Sequence, residues 1–250
     1  MTANSAKKSL RKKIIMALCT LVGVVAISVT SVLATVAYLT SSAAVSNVFT
    51  IGNVGITMTE SKVNPDGTLY DGGATRVDTN TYHLVPNTKY IKDPTITVNA
   101  GSENSYLFTL VRNDIAAIEC QSTATDFQHN HKGTIAEQLA ENGWAKYTYA
   151  STGWVYVYVG VGNVPEGDAA RAHVAGSPYT YGGAGAAVTA GNYKLFDEFT
   201  IDPNAKVDNY GAAKITLTGV AIQKSGFDNL AQAWSAVVAT YPYIHTGSAN

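Results

Sequence analysis

Residues 144–162 read WAKYTYASTGWVYVYVGVG, and within them Trp154, Tyr156 and Tyr158 alternate with Val155, Val157 and Val159. A period of two in aromatic and β-branched residues marks a β-strand. Most strands show one apolar face and one polar face; here both are bulky. The stretch is therefore expected to lie between two layers, or to have its aromatic face covered by another chain.

The neighbouring segments repeat the strand signal. Residues 47–59 (NVFTIGNVGITMT) alternate around Gly52 and Gly55, which predicts a half-buried strand carrying a bulge. Asn64-Pro65-Asp66-Gly67 is a turn sequence, with Pro fixing φ and Gly free to take a positive one. Residues 94–99 (PTITVN) set Thr95, Thr97 and Asn99 against Ile96 and Val98; with the turn at 100–104 and 106–111 (YLFTLV) they read as a hairpin. Strands are also expected at 193–201 (YKLFDEFTI) and 213–222 (AKITLTGVAI), the latter alternating Ile215, Leu217 and Gly219 with Thr216, Thr218 and Val220.

Two short helices interrupt this pattern. Thr134 stands three residues before Glu137 as a capping box, Ile135 and Leu139 follow at helical spacing, and Gly143 is the stop. From Gly226 a second helix is expected, capped by Asp228, with Leu230, Ala233, Trp234 and Val237 on one face and Pro242 at its end. Residues 163–190, rich in Gly, Ala and Pro, hold no period and read as a long surface loop or arm. With no repeat and no linker, the pattern predicts one mainly β domain, an antiparallel β-sandwich with short inserted helices.

The N-terminus is of another kind. Lys7, Lys8, Arg11, Lys12 and Lys13 precede an apolar run from Ile14 to about Ala37, and no charge recurs before Glu60. A basic start, an apolar segment and small residues at Thr35-Val36-Ala37 predict a secretory signal over residues 1–37, cut between Ala37 and Tyr38, with 38–250 as the secreted domain. The run also has the length of a spanning helix, so a retained anchor is the alternative. Cleavage removes five of the seventeen basic residues, leaving twelve against eighteen acidic ones, a net charge of −6. Such a chain lacks the basic cluster that nucleic acid or an anionic membrane surface requires, and its contact with a membrane is expected during export only. Of the two cysteines, Cys19 leaves with the signal, and Cys120 is expected to be buried as a small apolar residue.

A convergent catalytic set is not legible. His129-Asn130-His131, with Asp126 nearby, is the single metal-like spacing. A catalytic zinc needs a third ligand and a general base, and HExxH does not occur, so His129 and His131 are weak candidates in a polar loop. GxSxG, CxxC and the Walker loop do not occur either, and Gly182-Gly183-Ala184-Gly185 precedes no capped helix. The expectation is a protein without cofactor or catalytic residues.

Three quoted pieces together resemble the bacterial TasA/camelysin family: TVAYLTSSAAVSNVFTIGNVGITMTE, LVPNTKYIKDPTITVNAGSENSYLFTLVRND and KITLTGVAIQKSGFDNLAQAWSAV. The resemblance covers both ends and residues 84–114, and leaves 115–190 unmatched. It implies a jelly-roll-like β-sandwich, a signal cut by a SipW-type peptidase, and an extracellular or cell-surface location. It further implies assembly with itself, and with other biofilm matrix proteins, into fibres in which an N-terminal strand completes the next subunit's sheet. The donated strand would span residues 45–59, through Val48, Phe49, Ile51, Val54, Ile56 and Met58. An uncharged alternating segment suits that task, though the same strand can pair within its own subunit and satisfy the same ladder. Camelysin is catalogued as a metallopeptidase, so a secreted peptidase using His129 and His131 is the alternative function. A third reading is a sugar-binding module stacking on Trp154, Tyr156 and Tyr158.

Overall fold

The computed structural model describes residues 49–51, 53–124, 131–150, 153–242 and 244. In chain order the strands are β1 (Phe49–Ile51), β2 (Ile56–Ser61), β3 (Arg76–Val77), β4 (Lys89–Ile91), β5 (Thr95–Val98), β6 (Ser105–Asn113), β7 (Trp144–Ala150), β8 (Gly153–Tyr158), β9 (Gly191–Lys194), β10 (Glu198–Thr200) and β11 (Ile215–Gln223). Helix α1 (Ile135–Glu141) precedes β7, and α2 (Leu230–Thr240) follows β11. The described chain is mainly β, with antiparallel sheets and two α-helices, as the strand periodicity predicts.

A five-stranded sheet of order β1-β11-β6-β8-β7 is the middle layer. One of its faces packs on a four-stranded sheet, β3-β2-β5-β9, and on the pair β10-β4; the other carries α2. This answers why β8 is bulky on both sides. Tyr156 joins Ile56, Met58, Ile96 and Leu107 in the core between the sheets, while Val155 and Val157 join Phe108, Ala233 and Val237 beneath the helix. Strand β6 divides the same way, sending Leu107 and Val111 to one core and Tyr106, Phe108 and Leu110 to the other. Gly219 on β11 lets the sheets approach closely, since a Cβ there would lie 2.8 Å from Met58 Cε.

The expected hairpin of 94–111 is not formed. Strand β5 pairs with β2 and β9, and β6 pairs with β11 and β8, so the turn around Gly101 carries the chain from one sheet to the other. The alternation expected in 94–99 is present in β5, where Ile96 and Val98 point into the core. Period-two patterning fixes which side chains are buried; it does not distinguish strands lying side by side from strands facing each other across a sandwich. The stretch 193–201 is likewise two strands, β9 and β10, placed in different sheets.

Helix α1 forms as its capping box dictates. Thr134 Oγ1 accepts from the Glu137 N–H at 3.2 Å, and Glu137 Oε2 accepts from the Thr134 N–H at 2.7 Å. Gly143 then ends the helix with φ of +86°. Thr134→Ala is expected to lower stability by about 1 kcal/mol, read from the midpoint of urea unfolding. Helix α2 buries Leu230, Ala233, Trp234 and Val237 as expected. Its cap is Asn229 rather than Asp228: Asn229 Oδ1 accepts from the Gln232 N–H at 3.0 Å, and the Asp228 N–H donates to Gln232 Oε1. Both residue types cap well, and the buried Leu230 face sets which of the two occupies the position.

Candidate assembly edge

The two flanks of the five-stranded sheet differ. At one, β7 is covered by the arm that follows β8. The Tyr181 N–H donates to the Tyr147 carbonyl at 2.7 Å, and Thr180 bridges to Thr148. Deeper in, the buried Asp168 carboxylate accepts the Lys146 N–H at 2.7 Å, and Lys146 Nζ donates to the carbonyls of Ala169 and Arg171, each at 2.7 Å. Burial pushes the Lys146 amine down to about 8, against the opposing pull of Asp168. The sequence marked 163–190 as an arm but offered no sign that Asp168 and Lys146 would fasten it.

At the other flank, β1 pairs in parallel with β11, matching Phe49 to Val220, Thr50 to Ala221 and Ile51 to Ile222. Strand β11 is nine residues long, and among the described residues β1 pairs with three of them. Among the described residues, positions 215–219 of β11 have a strand partner on the β6 side alone. Two of them, Ile215 and Leu217, are half-buried apolar side chains packed at the margin of the core.

The segment expected to act as one donated strand is split. Val54, Ile56 and Met58 are 3%, 4% and 6% exposed and belong to their own chain's core. Strand β2 pairs with β5 from Ile56 to Thr59 and with β3 at Glu60 and Ser61. Gly55 stands in a crossing between sheets instead of a bulge, and Gly52 lies outside the described residues. The crossing is fastened: the Gly55 N–H donates to Ser102 Oγ at 3.1 Å, and the Glu103 N–H donates to the Asn53 carbonyl at 3.1 Å. Val48, like Ala37 and Tyr38, where cleavage is expected, lies outside the described residues.

The other candidates are placed as follows. His129 lies outside the described residues. His131 Nδ1 accepts the Gly133 N–H at 3.2 Å, which puts the proton of a neutral ring on Nε2, 3.8 Å from Cys120 Sγ. Cys120 is buried, as expected. Among the described residues no group of three or more His, Cys, Asp or Glu side chains is arranged to hold a metal ion. Of the aromatic trio on β8, Tyr156 is buried and Tyr158 packs edge-on against Tyr193. Trp154 is half-buried, with Tyr149 and Tyr179 edge-on to it and the Lys146 ammonium 5.1 Å from its ring. Of the three rings, Trp154 and Tyr158 are thus partly exposed and Tyr156 is enclosed. Among the described residues no helix is long and apolar enough to cross a membrane.

Comparison of the chain with protein-family models, with curated proteins and with solved structures finds no match.

Proposed function

We propose that the protein is an exported structural protein of the TasA/camelysin type, with a jelly-roll-like sandwich, which assembles into extracellular or cell-surface fibres by strand donation between subunits. The feature that supports this reading is the unequal flank of the five-stranded sheet: among the described residues, β11 spans nine residues and β1 lies along three of them. Main-chain pairing along the remainder of β11 is a ready source of association, and the half-buried Ile215 and Leu217 offer apolar contact for alternate side chains of an incoming strand. The donor is the N-terminal arm up to Ile51, held back by the fastened crossing at Asn53 to Gly55 and ahead of the strand that completes its own core. The basic leader followed by an uncharged stretch supports the export step. Other matrix proteins with a free arm could join the same edge, and a SipW-type peptidase would release it.

The test compares two chains, one beginning at Tyr38 and one at Asn53. The longer chain is expected to form filaments by negative-stain electron microscopy, and the shorter to remain monomeric with an unchanged far-ultraviolet spectrum. Protein recovered from culture medium is expected to begin at Tyr38 on N-terminal sequencing. Filaments from the shorter chain would refute the assigned arm, and an uncut chain retained in the membrane would refute export.

A further inference from the structure

Three side chains from separate segments meet beneath the four-stranded sheet. Lys92, just after β4, places Nζ 2.5 Å from Glu60 Oε2 on β2. The other oxygen of the same carboxylate, Oε1, accepts from Asn80 Nδ2 at 2.9 Å. Lys92 is 6% exposed and Glu60 3%. The ring of Tyr82 lies 5.9 Å from the ammonium and packs edge-on against Tyr90 and Phe199, which keeps the cluster in apolar surroundings. Asn80 is fixed in one orientation, because Oδ1 accepts the Val63 N–H at 3.0 Å while Nδ2 donates a second time, to the Ser61 carbonyl at 2.8 Å.

A buried Lys–Glu pair alone is a doubtful source of stability. It needs no amide whose leaving nitrogen rests on the same carboxylate and whose carbonyl oxygen is held by a backbone N–H. We propose that Lys92 and Asn80 are joined by an intramolecular isopeptide bond, formed autocatalytically with Glu60 as the proton carrier. Lysine becomes a nucleophile when its ammonium is buried and can hand a proton to a neighbour. Glu60 takes that proton through Oε2, and the Nζ lone pair attacks Asn80 Cγ. The Val63 N–H stabilises the charge that develops on Oδ1. The Cγ–Nδ2 bond breaks as Glu60 delivers a proton to Nδ2 through Oε1, and ammonia leaves. Of the three protons on Nζ, one stays on the new amide, one departs in ammonia, and one remains on Glu60, from which ammonia can carry it to solvent as ammonium. No oxidant or other reagent is consumed. The bond would brace the sandwich covalently. It does not depend on the fibre reading.

The test is peptide mapping by mass spectrometry of the purified protein after denaturation and trypsin digestion. Residues 77–89 contain Asn80, and residues 90–112 contain Lys92. The expected product is one branched peptide joining the two, uncut after Lys92 and lighter by one ammonia than the pair. Asn80→Ala, which leaves the Lys92–Glu60 pair in place, is expected to release them as linear peptides with cleavage after Lys92, and Glu60→Gln to do the same. Linear, unmodified peptides from the unaltered protein would overturn the proposal. So would an ammonia loss that maps to Asn142-Gly143, where a succinimide accounts for the same mass.

Discussion

Trp144→Ala is expected to lower the unfolding free energy by about 3–5 kcal/mol, a third or more of what a domain of ordinary stability possesses. The side chain is fully buried where β7 begins, edge-on to Tyr158 at 5.3 Å between ring centroids. Its Nε1–H donates to the Lys194 carbonyl at 2.9 Å, so one residue of the middle sheet holds a strand of the outer one. Truncation removes the ring, leaves a cavity and deprives that carbonyl of its donor. Trp144→Phe restores much of the volume without the hydrogen bond, and its cost is expected to fall to about 1–2 kcal/mol. Urea unfolding followed by circular dichroism measures both, and equal, small losses for the two variants would show that the ring is not the tie between the layers.

The second large effect depends on pH. Glu119 is buried next to the start of α1, where its carboxylate accepts the Ile135 N–H at 3.2 Å and Asn113 Nδ2 at 3.0 Å. Burial outweighs these bonds, and the nearby Glu137 charge adds to it, so its pKa rises from 4.5 to about 7. The folded state thus holds a proton that the unfolded chain releases near pH 4.5. The stability this group contributes is complete below about pH 4.5 and is lost as pH rises through about 7, amounting to about 3 kcal/mol. Asp66, Asp71 and Asp197, whose pKa values are lowered by hydrogen bonding or by lysine partners, act in the opposite sense and only below about pH 4. Unfolding midpoints taken at about pH 5 and about pH 8 should therefore differ, with the protein weaker at the higher pH, and Glu119→Gln should remove most of the difference. A midpoint that rises between those two pH values would contradict the assignment.

Local signals in the sequence were read with fair success because they depend on neighbours along the chain. The Thr134–Glu137 box, the stop at Gly143, the turn at Gly67 and the two-faced bulk of 154–159 all reappear as structure. What failed was partnership at long range. The alternation of Ile96 and Val98 is the same in a hairpin as in an arch, and the alternation through Val54, Ile56 and Met58 is the same in a donated strand as in an integral one. The ties of Asn53 and Gly55 to Glu103 and Ser102, some fifty positions away, leave no mark in the local sequence. The Glu60–Asn80–Lys92 cluster carries no motif at all, since its members stand 20 and 12 residues apart and meet only when β2 and β4 are in place.

On the proposed assembly, the fastened arm beside β7 and the β11 residues that lack a described partner on the β1 side would give each molecule one inert side and one receptive side. A polymer built through this sheet would consequently be directional, with one end whose edge can still accept an arm and another whose arm is still free to give. A molecule shortened to Asn53 would dock yet offer nothing onward, and in a mixture with intact chains it would act as a terminator, setting filament length by its proportion.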